Sequence, residues 1–125
     1  MVDDIYHGAS PDEGQAIREI VAVAMDAPAA ANSGHSGTAM ALAPLGVTLF
    51  GRVLRHDPTV PSWPDRDRFV LSAGHVSILQ YSLAHAFGYD VTPDDLRGFR
   101  QPHSRTPGHP EAGLTPTVEV TTGPL

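Results

Sequence analysis

Histidines in three nearly identical local settings are the residues of this chain best suited to chemistry. Each directly follows a glycine, in the triplets Ser33-Gly34-His35, Ala73-Gly74-His75 and Pro107-Gly108-His109. A glycine at that point lets the backbone turn sharply and hold an imidazole over a crevice. Imidazole changes charge near neutral pH, so a group held in this way can move protons or bind an anion. Because the pattern occurs three times, it favours a functional role for these histidines over three loop histidines that follow a glycine by chance.

His75 is the strongest of these candidates from the residues alone. It follows the apolar run at residues 69–71 and precedes the helical stripe formed by Val76, Leu79, Leu83 and Phe87. Open α/β sheets bind ligands at the carboxyl ends of their strands. The amino end of a helix at that place favours a phosphate group. The sequence therefore predicts an anionic ligand beside His75.

Other kinds of chemistry find little support. The chain has no cysteine and no lysine, which excludes thiolate zinc sites, Cys nucleophiles and a P-loop. His103 and His109 stand six residues apart in a proline-containing loop with Glu111 nearby, a spacing that does not predict a dedicated metal site. No Gly-x-Ser-x-Gly nucleophile elbow occurs. An enzyme of this sequence would need a cofactor for the difficult steps. The other histidines that we predict to be structural are His7, His56 and His85.

Length and charge narrow the class of protein. The 125 residues carry a net charge of −6, which argues against nucleic-acid binding. The apolar run at residues 39–50 is shorter than the roughly 18 residues of a membrane span. The first four residues, Met-Val-Asp-Asp, are unlike a signal peptide. We therefore expect a soluble, cytoplasmic protein that binds neither nucleic acid nor membranes.

Four helices are predicted to position the histidines. The first begins at a capping box formed by Ser10 and Glu13 and is expected to kink or end near Pro28. The second should have Pro44 in its first turn and a buried face of Leu42, Leu45, Leu49 and Val53. The third carries the stripe after His75 and ends near Gly88, and the fourth opens at Thr92. Residues 56–65 form a proline-rich connector, residues 101–113 a loop, and residues 1–10 a flexible N-terminus.

Two short strands, at residues 69–71 and 117–121, complete the predicted elements. The first is apolar throughout, which is typical of a parallel strand buried on both faces. Such strands need neighbours to pair with, and this chain offers few. The fold class expected is α/β, with helices around an incomplete, mainly parallel sheet. The chain should be only part of a folding unit.

Four blocks of the sequence, in order, resemble the transketolase family. They are residues 31–37, 61–75, 99–111 and 119–125. The likeness runs from about Ile17 to the last residue. It implies that residues 1–125 are the incomplete N-terminal portion of that family's diphosphate-binding (PP) domain, a partial thiamine diphosphate-binding fold. The implied activity is transfer of a two-carbon ketol group from a ketose phosphate to an aldose phosphate, as in the pentose phosphate pathway, once the rest of the enzyme is supplied.

The resemblance also implies roles for individual residues. His75 resembles the histidine that hydrogen-bonds the cofactor diphosphate, while Gly123, Pro124 and Leu125 resemble the turn against its rings. His35 resembles a substrate-binding catalytic histidine that helps to move the proton of the donor's C3 hydroxyl. His109 resembles one that contacts the C1 hydroxyl and the carbonyl oxygen. The family binds Mg²⁺ or Ca²⁺ through a Gly-Asp-Gly segment, and no Gly-Asp-Gly occurs in this chain. The family's activating glutamate and the residues that bind the sugar phosphates also have no counterpart here.

Some positions depart from the family's usual pattern. Ser36 stands where proline is common, Val76 where a small residue is common, and Pro28 falls in a helix that is usually unbroken. Three interpretations follow. The chain is a fragment or subunit of a transketolase that is dimeric when complete, or it is an inactive remnant or interaction module. The third is another thiamine diphosphate enzyme, such as a phosphoketolase or a deoxyxylulose phosphate synthase.

Overall fold

The structure, a computed structural model, describes residues 8–123. All regular elements in that range are helical: α1 (Pro11–Ala30), α2 (Gly37–Thr48), α3 (Ser77–Ala86) and α4 (Pro93–Arg97). A π-helical turn (Leu49–Val53) follows α2, and a 3-10 turn (Gly74–Val76) precedes α3. Helices α1, α2 and α3 pack against one another around the core, and α4 lies against α1 and α3. In the described part of the chain, no helix is both long and apolar enough to cross a membrane.

The beginning of α1 confirms the predicted capping box. The Ser10 hydroxyl accepts from the Glu13 amide at 3.3 Å, and the Glu13 carboxylate accepts from the Ser10 amide at 2.7 Å. The helix continues two residues past Pro28 and ends at Ala30, close to the predicted end. Pro28 lies in the last turn, where the missing N–H costs a single bond, and its ring is buried against Gly34. Of residues 1–10, predicted to be flexible, the first seven lie outside the described range.

Helix α2 differs from its prediction in both face and start. Leu45 and Val53 are 55% and 59% exposed. The buried residues of this region are instead mostly small, namely Ala39, Ala43, Gly46, Val47 and Phe50. The reason is a close approach of α2 to α3. A Cβ on Gly46 would lie 2.7 Å from the Leu83 side chain, so small residues must form this face. Pro44 is inside the helix instead of in its first turn, and the packing of α2 against α1 and α3 offsets its missing hydrogen bond.

Neither of the two predicted strands, at residues 69–71 and 117–121, forms a β-ladder in the structure, and the second begins at a turn in which Thr117 has φ of 73°. Within residues 8–123 no strand is formed, so the described chain does not contain the predicted sheet. Val70 is 50% exposed and Leu71 is 8% exposed, which also overturns burial on both faces. The amides of residues 69–71 donate to no backbone carbonyl of a described residue. Within the described residues these segments lack the neighbours that would make them a sheet.

The remaining elements follow their predictions. Helix α4 begins at a capping box made by Thr92 and Asp95. Gly88, with φ of 85°, lies just after the cap of α3, where a left-handed residue commonly ends a helix. Residues 56–65 and 101–113 contain no helix or strand. Arg66, just after the proline-rich connector, donates to both carboxylate oxygens of Glu119 at 2.8 Å. This ion pair connects the connector to residues 117–121.

Candidate active site

His35 and His75 meet directly, although 39 residues of sequence separate them. Their ring centroids are 5.0 Å apart and the rings stand edge to face at 83°. His35 follows Gly34, whose φ of 134° suits glycine and whose open side faces Pro28 and Phe99. His75 lies in the 3-10 turn that leads into α3. Both side chains are exposed, so each imidazole is available to a ligand.

The His109 loop is attached to the first turns of α3. The Ser77 hydroxyl donates to the carbonyls of Gly108 at 2.9 Å and Pro107 at 3.2 Å. The phenol of buried Tyr81 donates to the same Pro107 carbonyl at 2.8 Å. Burial raises the pKa of Tyr81, which keeps the phenol protonated and able to donate. Because α3 also carries the His75 turn at its amino end, these bonds bring the two histidine loops to the same end of one helix.

Gly123 lies where the His75 and His109 loops converge. A Cβ on Gly123 would collide with the His109 imidazole, so that ring rests on the glycine backbone. A Cβ on Gly74 would lie 2.5 Å from the carbonyl oxygen of Thr122. The Thr122 hydroxyl donates to the Leu71 carbonyl at 2.7 Å, which fixes the approach. Glycine at both positions is therefore required by packing.

The structure brings most of the predicted site residues together. His35 contacts His75, and the turn at residues 122–123 contacts both Gly74 and His109. Pro124 and Leu125 lie outside the described residues. Among the hydrogen bonds of residues 8–123, none involves the imidazoles of His35, His75 or His109. Three exposed rings without protein partners can bind an anion or exchange protons with a substrate.

The histidines predicted to be structural differ in this respect. His56 Nε2 donates to the Phe50 carbonyl at 2.8 Å, and its Nδ1 accepts from the Tyr89 hydroxyl at 2.8 Å. His85 Nδ1 donates to the Val91 carbonyl at 2.7 Å. Both rings are committed to fold contacts, as predicted, and His7 lies outside the described residues.

The sequence analysis assigned no role to Arg100, which the structure places between two of the histidine loops. Its guanidinium donates to the Ser33 hydroxyl at 2.8 Å and lies against the backbone of Gly108. The only local signal was its position in one of the family-like blocks. The bond from Ser77 to the His109 loop spans 31 residues, so no local pattern in the sequence could reveal it.

No metal centre can be built from the described residues. Over residues 8–123, no three His, Asp or Glu side chains are grouped so that they could hold an ion. A groove of about 650 Å³ lies between α1 and α4, but none of the three glycine-linked histidines lines it.

Comparison with known proteins gives the site its context. The family described as "Transketolase, thiamine diphosphate binding domain" matches residues 12–125. Transketolase 2 of Escherichia coli is 55% identical over 114 residues, covering 91% of this chain and 17% of that protein. The transketolase structure from Pichia stipitis in complex with sedoheptulose-7-phosphate is 50% identical, with a TM-score of 0.88 over 93% of this chain and 17% of that one.

A second solved structure agrees. The transketolase from Leishmania mexicana is 50% identical with a TM-score of 0.86, again covering 93% of this chain and 17% of that one. The chain thus spans about one sixth of the length of the relatives it matches. Because the family match includes all three glycine-linked histidines and Gly123, the chain belongs to the transketolase family, within its thiamine diphosphate-binding domain.

Proposed function

We propose that this chain is the N-terminal part of the diphosphate-binding domain of a transketolase and is active only when further polypeptide completes it. The observation that carries the proposal is the convergence of His35, His75, His109 and Gly123 at the amino end of α3. The completed enzyme would transfer a two-carbon ketol group from a ketose phosphate to an aldose phosphate. It would be a cytoplasmic homodimer, as the family resemblance implies.

The described residues fit one part of thiamine diphosphate. An imidazole without a protein partner, beside the amino end of α3, is a suitable donor for diphosphate oxygens. The metal that accompanies a diphosphate needs carboxylate or amide oxygens, and within residues 8–123 no three His, Asp or Glu side chains are grouped so that they could hold an ion. We therefore assign the diphosphate contact to His75, and the Mg²⁺ or Ca²⁺ ligands to polypeptide outside this chain.

Each site residue then has a separate task. When bound, thiamine diphosphate supplies the carbon that carries the ketol group. His35 is suited to hold or release the proton of the donor's C3 hydroxyl, and His109 to donate to the C1 hydroxyl and the carbonyl oxygen. Gly123, with Pro124 and Leu125 after it, would form the turn against the cofactor rings. The role of those three residues would be to exclude water from the cofactor rings and not to take part in the reaction.

Sugar phosphates are the substrates that the comparisons favour. Two of the related Pichia stipitis structures are complexes with sedoheptulose-7-phosphate and with fructose-6-phosphate. The related proteins reported above are transketolases, which favours that branch over phosphoketolases and deoxyxylulose phosphate synthases. The groups that grip the sugar phosphate would come from the remaining polypeptide, as would strands to pair with residues 69–71 and 117–121.

The test is reconstitution with a complementary polypeptide. The chain would be mixed with the part of Escherichia coli transketolase 2 that follows the matched region, together with thiamine diphosphate and Mg²⁺. We expect ketol transfer from the mixture and none from either part alone. His75→Asn should lower the activity strongly, whereas His103→Asn, which changes an exposed histidine of the 101–113 loop without a proposed role, should not. Absence of transfer, with both parts folded by circular dichroism, would contradict the proposal.

An interaction module or inactive remnant is the second candidate. It is favoured by the two predicted strands that stay unpaired within the described residues, where Val70 and Val120 are 50% and 52% exposed. Such edges promote association between chains. This candidate predicts self-association in sizing experiments and no gain of activity on mixing. Both candidates predict that the chain alone binds no thiamine diphosphate measurably, so a tight calorimetric titration would overturn that expectation.

A further inference from the structure

We propose that Arg100 is a positioning residue that holds the His35 loop and the His109 loop at a fixed separation; its effect on catalysis rests on the proposed function. Its Nη1 donates to the Ser33 hydroxyl at 2.8 Å, two residues before His35. Its own amide donates to the Thr106 carbonyl at 3.0 Å. Arg100 thus has backbone attachment to one loop and side-chain attachment to the other.

The guanidinium also supports the residue before His109. A Cβ on Gly108 would lie 2.9 Å from Arg100 Nε and 3.0 Å from Cζ, so the glycine backbone rests on the guanidinium plane. Phe99 supports the arrangement from below, with Arg100 Cζ 5.6 Å from its ring centroid. The same ring lies on the open side of Gly34. Residues 99 and 100 therefore contact the residues just before both histidines.

Two costs indicate that this arrangement serves the site more than overall stability. Arg100 has φ of 59°, a left-handed conformation that is unfavourable for a residue with a long side chain. Its Nε is buried without a hydrogen-bond partner among the described residues. An arginine that only stabilised the surface would have neither the left-handed backbone nor the unpartnered Nε. Backbone strain of this kind is commonly found where a functional geometry is imposed.

The His35 loop depends on this contact more than the His109 loop does. The His109 loop is separately fixed to α3 by Ser77 and Tyr81. Removing the guanidinium should therefore let the turn before His35 move relative to α3, and with it the contact between His35 and His75. A displacement of about 1 Å in a catalytic group can lower a rate by about a hundredfold.

The first test measures geometry in the full chain by NMR, without cofactor. The variants are Arg100→Met and Ser33→Ala, with Arg97→Met as the control, because Arg97 is an exposed arginine that pairs only with Asp94 among the described carboxylates. We expect the cross-relaxation between the His35 and His75 rings, whose centroids are 5.0 Å apart, to weaken about threefold for a shift of about 1 Å.

An internal reference separates loop movement from unfolding. The stacked rings of His56 and Tyr89, 5.6 Å apart, lie in another part of the fold and should keep their contact in every variant. If Arg100→Met loses that contact, Ser33→Ala decides, since it removes one exposed hydroxyl only. An unchanged contact between the His35 and His75 rings in a folded Arg100→Met or, failing that, Ser33→Ala would overturn the proposal.

The second test uses the reconstituted enzyme described above. We expect Arg100→Met to lower kcat about 10- to 100-fold, with a much smaller change in KM and an unchanged cofactor affinity. Arg97→Met should behave as the wild type. A merely structural arginine would lower thermal stability without this split between kcat and KM. If the wild-type mixture has no activity, the proposed function fails, while the NMR result still decides whether Arg100 positions the His35 loop.

Discussion

Substituting Gly74 by alanine tests whether the His75 turn and the turn at residues 122–123 approach as closely as the structure indicates. A Cβ at this position would lie 2.5 Å from the Thr122 carbonyl oxygen and 2.7 Å from the Gly123 amide nitrogen. Both atoms belong to the backbone, so neither can rotate away. The Thr122 oxygen would have to retreat by about 0.9 Å to reach an ordinary contact distance of 3.4 Å.

The cost of that movement can be approximated from its parts. Forcing extra volume into a packed site costs about 1–3 kcal/mol. The same retreat would stretch the bond from the Thr122 amide to the Pro110 carbonyl, now 3.2 Å, and so lose about 1 kcal/mol. We therefore expect Gly74→Ala to lower the free energy of unfolding by about 2–4 kcal/mol. With a urea dependence of about 2 kcal/mol per molar, the midpoint should fall by about 1–2 M.

Two other glycines provide matched controls in the same urea titration. Gly37 has nothing within 4 Å of an added Cβ and begins α2, so Gly37→Ala should be neutral or stabilising by up to about 1 kcal/mol. Gly46→Ala would contact the Leu83 side chain at 2.7 Å, and because that side chain can adjust, the loss should be intermediate. A Gly74→Ala midpoint equal to that of Gly37→Ala would refute the close approach on which the site depends.

Three further variants test the fold around the site. Glu13→Gln removes an ion pair with Arg52 that, with the other hydrogen bonds to the carboxylate, lowers the pKa of Glu13 from 4.5 to about 2. The wild type should therefore exceed Glu13→Gln in stability at neutral pH and lose that advantage as the pH falls from about 4.5 to about 2, which acid titrations followed by circular dichroism would detect. Thr92→Ala should cost about 1 kcal/mol by removing the cap of α4, measured by urea unfolding, and an unchanged midpoint would contradict the cap. Tyr89→Phe leaves His56 Nδ1 without its donor and should cost about 1–2 kcal/mol in the same assay, and an unchanged midpoint would contradict a stabilising role for this bond.

Local signals in the sequence predicted the starts of α1 and α4 but not that of α2. The capping box at Ser10 forms as predicted, and α4 opens at Thr92 as predicted, with a capping box of its own. The buried face of α2 was predicted wrongly because large apolar residues usually face the core. Here the contact between Gly46 and Leu83 draws the helices together and leaves Leu45 outside. Interhelical distance depends on residues far apart in sequence, so periodicity within one helix could not reveal it.

The candidate site, too, has features that the local sequence reveals and others that depend on residues far apart in sequence. The glycine-histidine pairs are local patterns, and they predict His35, His75 and His109 as site residues. The groups that hold these residues together act across long sequence separations: the bond from Arg100 to Ser33 spans 67 residues. An arginine in a loop has no distinguishing local pattern, so its position between two histidine loops emerges only from the fold.

Residues 69–71 and 117–121 show that a strand-prone sequence does not form a strand without a partner. Residues 69–71 are strand-prone, but a β-ladder requires a second backbone at hydrogen-bonding distance. Within residues 8–123 the Leu71 carbonyl receives only the Thr122 hydroxyl, and the neighbouring amides have no backbone partner. The chain covers 17% of the length of its relatives, so the backbones that would pair with these amides can lie in the polypeptide that it does not contain. Pairing there would also fix Thr122, and through it the approach of Gly123 to His109, which couples completion of the sheet to completion of the site.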